Sequence, residues 1–251
     1  MSKLADKIRS AGRVASAPIG FGMATERRAS PTLLCLLRLD KNQVKSVGDA
    51  AAAGADAVII AGLEAGKLSD ALKKLGDVPV GLLAEDVQRA TVEAARQAGA
   101  DFVLLDEESS GETVLAEDVG LVLRVGAEVG DTELRALAGL PLDALEIAPI
   151  SEPFTVRRLM ELRRLSLLSQ TPLLVEVTPE IEPSRLEALR EAGVAGVILD
   201  GKSAGSLSAL REAVLSLPAR GQRREKGTDA LLPTLTAVPA AEEEEPEPEF
   251  E

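Results

Sequence analysis

A short phrase of glycine, small residues and an aliphatic run recurs four times along the chain. Its copies begin at Gly54, Gly99, Gly139 and Gly193, and the first two read Gly-Ala-Asp before the aliphatic run. Glycine after an amphipathic stretch is a common helix end, because glycine adopts the left-handed conformation without steric strain. An uninterrupted aliphatic run is typical of a strand that is buried on both faces. Each copy therefore predicts a helix end, a turn and a buried strand.

The hydrophobic pattern predicts eight strands, all short, aliphatic and without polar alternation. They are Thr32–Leu39, Ala57–Ala61, Val80–Ala84, Phe102–Leu105, Gly120–Val125, Ala144–Ala148, Leu173–Val177 and Val197–Leu199. Helices are predicted between them at Lys41–Ala53, Ser69–Leu75, Val87–Ala98, Thr132–Leu137, Thr155–Ser169, Ser184–Ala192 and Ser206–Leu217. The polar segment 107–118 separates strands four and five, and we expect it to be helical at most in its last turn.

This alternation of strands and helices predicts an α/β fold with a parallel sheet. The glycine phrase precedes the even-numbered strands and proline precedes three of the odd ones, so the chain divides into four βαβα quarters. Eight such units favour a single closed (β/α)8 TIM-like barrel over residues 31–218, with all strand carboxyl ends on one rim. An open flavodoxin-like sheet is the alternative. The segment Pro18–Met23 is expected to add a strand or to plug the bottom of the barrel.

The two ends of the chain differ in composition from the barrel segment. Residues 1–30 form a basic N-terminal arm with one amphipathic turn, Leu4–Ile8. Residues 219–251 finish in a Glu/Pro-rich stretch that holds seven Glu. Such a composition buries too little apolar surface to offset the entropy of ordering the chain, so a disordered tail is predicted. The acidic end around Phe250 is a candidate docking motif for a basic groove on a protein partner.

Composition excludes several classes of function. The net charge of −13 makes nucleic acid an unfavourable partner, because an acidic body repels the phosphate backbone. We find neither an apolar window long enough for a membrane span nor a targeting segment, so a cytoplasmic protein with no membrane partner is expected. The chain has no His, which excludes His-based catalysis and imidazole metal ligands. Its single cysteine, Cys35, lies in an apolar run and is expected in the core.

Four charged residues lie inside otherwise aliphatic strands: Arg38, Arg124, Glu146 and Glu176. If they point into the barrel they must pair, because an isolated buried charge is costly. In the functional interpretation, Glu146 and Glu176 are catalytic carboxylates, and Arg38 and Arg124 bind an anion. In the alternative interpretation, the four residues form an internal ion-pair layer that only stabilises the fold.

Two further groups of residues follow the predicted strand ends. Gly201, Lys202 and Ser203 come after strand eight, where backbone N–H groups and a helix N-terminus can hold a phosphate. The alternative is an ordinary loop that caps a helix. Carboxylates at the ends of strands three, four and eight are candidate ligands for Mg²⁺ or Mn²⁺, although Asp at such a position also caps turns. These candidate metal ligands are Glu85, Asp106 and Asp200.

The stretch Glu191-Ala192-Gly193-Val194-Ala195-Gly196-Val197-Ile198-Leu199-Asp200-Gly201 resembles the last-strand region of aldolase-type TIM barrels, notably the ribulose-phosphate-binding and FMN-linked groups. The resemblance spans roughly residues 31–217 and implies phosphate or FMN on glycine-rich loops after strands seven and eight. Gly201–Ser206 matches that pattern, whereas the strand-seven loop, Thr178–Pro183, is acidic. The catalytic lysine and the metal-binding histidine of those groups have no counterpart in this chain.

These observations predict an enzyme of lyase or isomerase type that acts on a small anionic or phosphorylated metabolite at the carboxyl rim of the barrel. The alternative is a catalytically inactive barrel that works as a scaffold or regulatory module through its termini. A third hypothesis is a barrel that binds FMN without a complete catalytic set. Mg²⁺ and FMN are the cofactors that the sequence leaves open.

Overall fold

The computed structural model describes residues 2–12, 32–64, 67–72, 76–84, 87–126, 128–149 and 153–218. Within them, eight parallel strands close into a barrel in chain order, and β1 pairs with both β2 and β8. The strands are β1 (Leu34–Asp40), β2 (Ala57–Ala61), β3 (Val80–Leu83), β4 (Phe102–Leu105), β5 (Gly120–Val125), β6 (Ala144–Ile147), β7 (Leu173–Val177) and β8 (Val194–Asp200). The closed α/β barrel predicted from the hydrophobic pattern is confirmed, and the open-sheet alternative is wrong.

Helices surround the barrel in the described residues. One helix, α1 (Lys3–Gly12), precedes the barrel, and the others follow strands: α2 (Val47–Ala52), α3 (Leu68–Leu72), α4 (Arg89–Gln97), α5 (Asp131–Leu137), α6 (Val156–Ser169), α7 (Pro183–Glu191) and α8 (Leu207–Leu215). Between β4 and β5 the chain forms only a short 3₁₀ helix, Gly111–Leu115, in agreement with the polar sequence of that segment. No helix in the described part of the chain combines the length and the apolar character needed to cross a bilayer.

The predicted element bounds need correction mainly at the first and last strands. β8 begins at Val194 rather than Val197, because Val194 and Gly196 pair with β7 across a local shift in register. Gly196 fits there because a side chain at this position would collide with Leu174 and Leu36. After β1 the chain first forms a 3₁₀ helix, Lys41–Ser46, and becomes α-helical only at Val47.

The core has two layers that follow from the alternation of side chains along each strand. Outward-facing residues pack under the helices, and inward-facing residues fill the barrel interior. The interior is apolar through most of its height, and large side chains fit beside small ones. Phe102 occupies the space left by Gly81, where a side chain would collide with the aromatic ring. The interior is therefore packed with side chains and is not an open channel.

Helix α1 closes the amino end of the barrel. Its buried residues Leu4 and Ile8 join the interior cluster beneath the strands. The amphipathic turn predicted at these residues is thus part of a ten-residue helix, and this helix plugs the bottom of the barrel. The segment Pro18–Met23, which the sequence suggested for that role, lies outside the described residues, as does the predicted disordered tail at 219–251.

Three copies of the repeated phrase anchor this helix through the aspartate that directly precedes a strand. The carboxylate of Asp101 accepts hydrogen bonds from the backbone N–H groups of Lys3 and Leu4, at 2.8 and 2.9 Å. Ser2 Oγ donates to Asp143 Oδ2 at 2.5 Å. Lys7 Nζ donates to the carbonyl oxygen of Asp56 at 2.7 Å. The fourth copy has Ala195 at the corresponding place, packed against the interior cluster. The phrase thus marks helix stops and also the attachment points of α1.

Asp101→Ala should lower the free energy of unfolding by about 1–2 kcal/mol, because two N–H groups in the first turn of α1 lose their acceptor. Urea denaturation followed by circular dichroism measures the change. Asp77→Ala is the matched control, since Asp77 also pairs with Lys3, at 3.5 Å, but from a fully exposed position. Equal effects of the two substitutions would contradict the anchoring role of Asp101.

The stability of the wild-type protein should fall with rising pH relative to that of Asp143→Asn. Burial raises the pKa of Asp143 above its ordinary value of 3.8, against the opposing hydrogen bond from Ser2. The folded state therefore holds this proton more tightly than the unfolded chain, and stability decreases from pH 3.8 up to the raised pKa. Urea titrations of both proteins between about pH 3 and pH 7 test this. A difference that is constant with pH, or that grows in favour of the wild type, would contradict it.

Candidate functional site

Four charged side chains converge inside the carboxyl end of the barrel. Each follows an inward-facing apolar residue by two positions: Arg38 follows Leu36, Arg124 follows Val122, Glu146 follows Ala144 and Glu176 follows Leu174. Since successive residues of a strand point to opposite faces, all four side chains must also point inward. The inward placement that the sequence left conditional is therefore observed.

Arg38 is the centre of this charged layer. Its Nη2 lies 2.6 Å from Glu146 Oε1, and its Nη1 donates a hydrogen bond of 2.6 Å to Glu176 Oε2. Arg124 Nε donates to the same Glu146 oxygen, Oε1, at 3.1 Å. The two arginines therefore share one carboxylate oxygen, and the charges of the four side chains balance.

The four side chains of the layer differ in their exposure to solvent. The side chain of Glu146 is 4% exposed and that of Arg38 is 13% exposed. The side chain of Glu176 is 25% exposed and that of Arg124 is 43% exposed. Glu146 and Arg38 thus form the buried part of the layer, and Glu176 and Arg124 form its more exposed part.

The buried pair keeps unused hydrogen-bonding capacity. Glu146 Oε2 and Arg38 Nε are buried and have no hydrogen-bond partner among the described residues. Arg38 Nη2 approaches Glu146 at ion-pair distance, but the angles of that contact fall outside those of a hydrogen bond. Buried polar atoms in folded proteins nearly always have a partner. The layer therefore offers one unused acceptor and one unused donor to a further polar group.

A cleft of about 660 Å³ adjoins the charged layer, above β4 and β5 and beside α5. Arg124 lines it and so connects the cleft to the buried pair. Five carboxylates also line it: Asp106, Glu107, Glu108, Glu128 and Glu133. A cleft of this size accommodates a small metabolite.

The loop after β8 forms a 3₁₀ helix, Gly201–Ser206, that lies against β1. Asp200 Oδ1 accepts a hydrogen bond of 2.8 Å from the backbone N–H of Lys202, so it caps the start of this helix. At Gly201 a side chain would collide with Gln43 and with the carbonyl of Arg38. Lys202 is exposed and Ser203 is half-buried. One N–H group of the predicted phosphate loop is therefore already used, and phosphate binding at Gly201, Lys202 and Ser203 stays a prediction.

The candidate metal ligands do not come together in the described part of the chain. Asp106 follows β4, where its carboxylate accepts from Ser109 Oγ at 2.8 Å, and Asp200 ends β8. In a closed barrel of eight strands, β4 and β8 lie on opposite sides. Glu85 lies outside the described residues, and no three His, Cys, Asp or Glu side chains within them are arranged to hold a metal ion. The metal site remains a prediction without support from the described residues.

Cys35 is fully buried on the outward face of β1, as the sequence led us to expect. Burial raises the pKa of its thiol to about 12, and the nearby Asp56 contributes in the same direction. The thiolate that a cysteine nucleophile requires is thus strongly disfavoured.

Sequence reasoning missed one buried charge with a clear structural role. Arg190, on α7, is 2% exposed. Its Nη1 donates to the Pro218 carbonyl at 2.5 Å and to Thr32 Oγ1 at 3.3 Å, which joins the two ends of the barrel segment. Nothing in the helical pattern separates Arg190 from Arg185, the half-buried arginine of the same helix. Its partners are distant in sequence, and only the fold brings them together.

Comparisons with known proteins identify the fold. No family model matches the chain, and no curated protein matches it. The structure is similar to that of a tryptophan synthase complex from Pyrococcus furiosus, with a TM-score of 0.58 at 14% identity over 73% of this chain and 98% of that one. It is also similar to thiamine phosphate pyrophosphorylase from Pyrococcus furiosus, with a TM-score of 0.54 at 20% identity over 72% and 95% of the two chains. At such identities the likeness shows a shared TIM-barrel fold.

Arg38→Met should lower the free energy of unfolding by about 3 kcal/mol, because it leaves Glu146 and Glu176 without their shared cation. Adding Glu146→Gln to this variant should restore part of the loss, since the amide carries no charge. Urea denaturation of the single and double variants measures both effects. Arg157→Met is the control, because Arg157 pairs with Glu161 at 3.6 Å from an 89% exposed position. A loss no larger than that of the control would contradict the described ion-pair layer.

Proposed function

We propose that this TIM barrel is an enzyme of lyase or isomerase type that acts on a small metabolite with an anionic group, at the carboxyl end of the strands. The observation that carries this proposal is the inward convergence of two arginines and two glutamates, graded from buried to exposed. Sites in barrels of this fold lie at this end, where residues from several strands meet.

Arg124 is the residue that binds the anionic group of the substrate. Its Nε is held by Glu146, and its terminal nitrogens have no partner among the described residues. A guanidinium held in this way can donate two parallel hydrogen bonds to a carboxylate or phosphate. The shared oxygen of Glu146 thereby fixes the direction in which Arg124 presents those donors.

Glu176 is the general base. One of its oxygens accepts from Arg38, and the other has no partner among the described residues. It removes a proton from a carbon that is activated by a neighbouring carbonyl or carboxylate group. Return of the proton at another atom gives an isomerase, and loss of a leaving group gives a lyase. Arg38 orients this base, and Glu146 positions both arginines without touching the reacting atoms.

The fold neighbours support an enzyme in a general way. Tryptophan synthase and thiamine phosphate pyrophosphorylase are named for reactions, and the whole barrel of this chain matches nearly their full length in those comparisons. Their names do not transfer to this chain, because the likeness is one of fold. The proposal therefore depends on the charged layer of this chain.

A scaffold without catalytic activity is the second candidate. The specific observation in its favour is that the four charges of the layer compensate one another, as they do in a layer that only stabilises. In that case, neutral substitutions in the layer affect stability alone. In the enzyme, Glu176→Gln removes the base while its amide still accepts a hydrogen bond from Arg38.

The proposed base can be tested without knowledge of the product. We expect the wild-type protein to exchange a carbon-bound hydrogen of at least one small carboxylate or phosphate metabolite for deuterium in D₂O, detected by NMR or mass spectrometry. Glu176→Gln should slow this exchange at least a hundredfold, in line with the usual contribution of a general base. Glu64→Gln is the matched control, because Glu64 is 79% exposed and pairs only with Lys67 in the described structure.

A second measurement separates the enzyme from the scaffold. The same small carboxylate and phosphate metabolites are also tested for a shift in the melting temperature of the wild-type protein. If none of them exchanges hydrogen for deuterium and none shifts the melting temperature, the scaffold is favoured. If Glu176→Gln exchanges as fast as the wild type, the assignment of the base is wrong.

A further inference from the structure

We infer that the ligand of the barrel mouth is a small zwitterion that carries an ammonium group next to a carboxylate, as an α-amino acid does. This inference rests on the proposed function, and it names the substrate class of the same site. It also excludes a phosphorylated metabolite as the preferred ligand of the charged layer. Three independent properties of the mouth lead to it: the balance of charge, the unused hydrogen-bonding atoms and their spacing.

The charge around the mouth disfavours a ligand that is only anionic. Arg124 is the only cation among the described residues that line the adjoining cleft, whereas five carboxylates line it. Three of them, Glu107, Glu108 and Glu128, are exposed at the carboxyl rim. A phosphate dianion at Arg124 would be repelled by these groups, and its approach from solvent would be slowed. A ligand that also carries a positive charge is attracted by the same carboxylates.

The unused atoms of the buried pair require a donor as well as an acceptor. Glu146 is 3% exposed, and its Oε2 has no hydrogen-bond partner among the described residues. A carboxylate oxygen can only accept, so the group that satisfies it must carry N–H or O–H. An ammonium group has three donors and compensates the charge of the carboxylate. A phosphomonoester dianion or a plain carboxylate offers acceptors alone and leaves Glu146 Oε2 unsatisfied.

The unused donors of the two arginines indicate that the anionic half of the ligand is a carboxylate. Arg38 Nε is a buried donor without a partner in the described residues, and the terminal nitrogens of Arg124, whose side chain is 43% exposed, also have no partner there. Both need acceptors, and a carboxylate supplies two oxygens in the planar geometry that matches a guanidinium. The layer thus presents complementary halves for the two ends of a zwitterion.

The spacing of these groups limits the length of the ligand. Arg124 Nε lies 3.1 Å from Glu146 Oε1, so the anion-binding and ammonium-binding groups are immediate neighbours. The two charged groups of the ligand must therefore be close together, as in an α-amino acid, where both are attached to the same carbon, rather than at the ends of a long chain. Glu176 shares Arg38 with Glu146, which brings the proposed base next to the ammonium-binding carboxylate.

The direct experiment is a binding panel with matched sets of probes. Each set contains one of the standard L-α-amino acids, the carboxylic acid that lacks its amino group and the amine that lacks its carboxyl group, and inorganic phosphate is tested separately. Binding to the full-length protein is measured by isothermal titration calorimetry and by the shift in melting temperature. We expect at least one amino acid to bind at least tenfold more tightly than both of its truncated partners and than phosphate.

Two variants locate the bound amino acid. Glu146→Gln should weaken its binding at least tenfold, because the amide loses the negative charge that faces the ammonium group. Arg124→Gln should weaken it by a similar factor through the carboxylate end, and since Arg124 is 43% exposed this variant should keep the fold even if Glu146→Gln does not. Arg157→Gln and Glu64→Gln, at 89% and 79% exposed side chains, should bind as the wild type does.

The outcomes separate this inference from the function on which it rests. If a deaminated acid or phosphate binds as tightly as the amino acid and Arg124→Gln abolishes that binding, the inference of a zwitterionic ligand is wrong. The proposed enzyme site that binds an anion at Arg124 is then retained. If an amino acid binds but neither variant weakens it, the ligand occupies another place and the inference is overturned. If no probe binds to the folded protein and no deuterium exchange occurs, both the inference and the proposed function fail.

Discussion

The guanidinium of Arg38 lies between the carboxylates of Glu146 and Glu176 at the top of the barrel interior. Without it, Glu146, which is 3% exposed, would keep only the partly exposed Arg124 as a cation, and Glu176 would have none among the described residues. With Arg38 in place, the apolar interior of the barrel can end in a single layer of charged side chains at the carboxyl end. Everything proposed for the mouth depends on this one cation.

The two ends of the barrel use carboxylates for different purposes. At the amino end, Asp101 and Asp143 bind the first residues of α1, so their hydrogen-bonding capacity is spent on closing the barrel. At the carboxyl end, Glu146 keeps a buried oxygen that has no hydrogen-bond partner in the described residues. This division agrees with the general separation of stability and function between the two faces of such barrels. It also means that loss of α1 should affect the fold before it affects the mouth.

The sequence was sufficient for the barrel and for the membership of its charged layer. Continuous aliphatic runs located all eight strands, and charged residues inside those runs, such as Arg38, were enough to predict an internal layer if they point into the barrel. It was insufficient wherever the deciding partner is distant in the chain. The helix at Lys3–Gly12 looked like a single turn, because the carboxylate that caps it is Asp101, 97 residues beyond Leu4. The packing of the side chains determines that Arg38 and Arg124 share Oε1 of Glu146 and that Oε2 has no partner in the described residues. The periodicity of the sequence carries no information about this.

The neutrality of the charged layer, which favours a scaffold at first sight, is also the source of selectivity in the proposed enzyme. A layer with excess positive charge would accept any small anion, and one with excess negative charge would accept any amine. Here Arg124 already holds one oxygen of Glu146, so a ligand with a single charge satisfies one side and leaves the other side unbalanced in a poorly solvated place. A ligand with both charges replaces solvent at both sides without changing the balance. In the proposed site, the balanced charges of the protein therefore favour a ligand whose own charges are balanced.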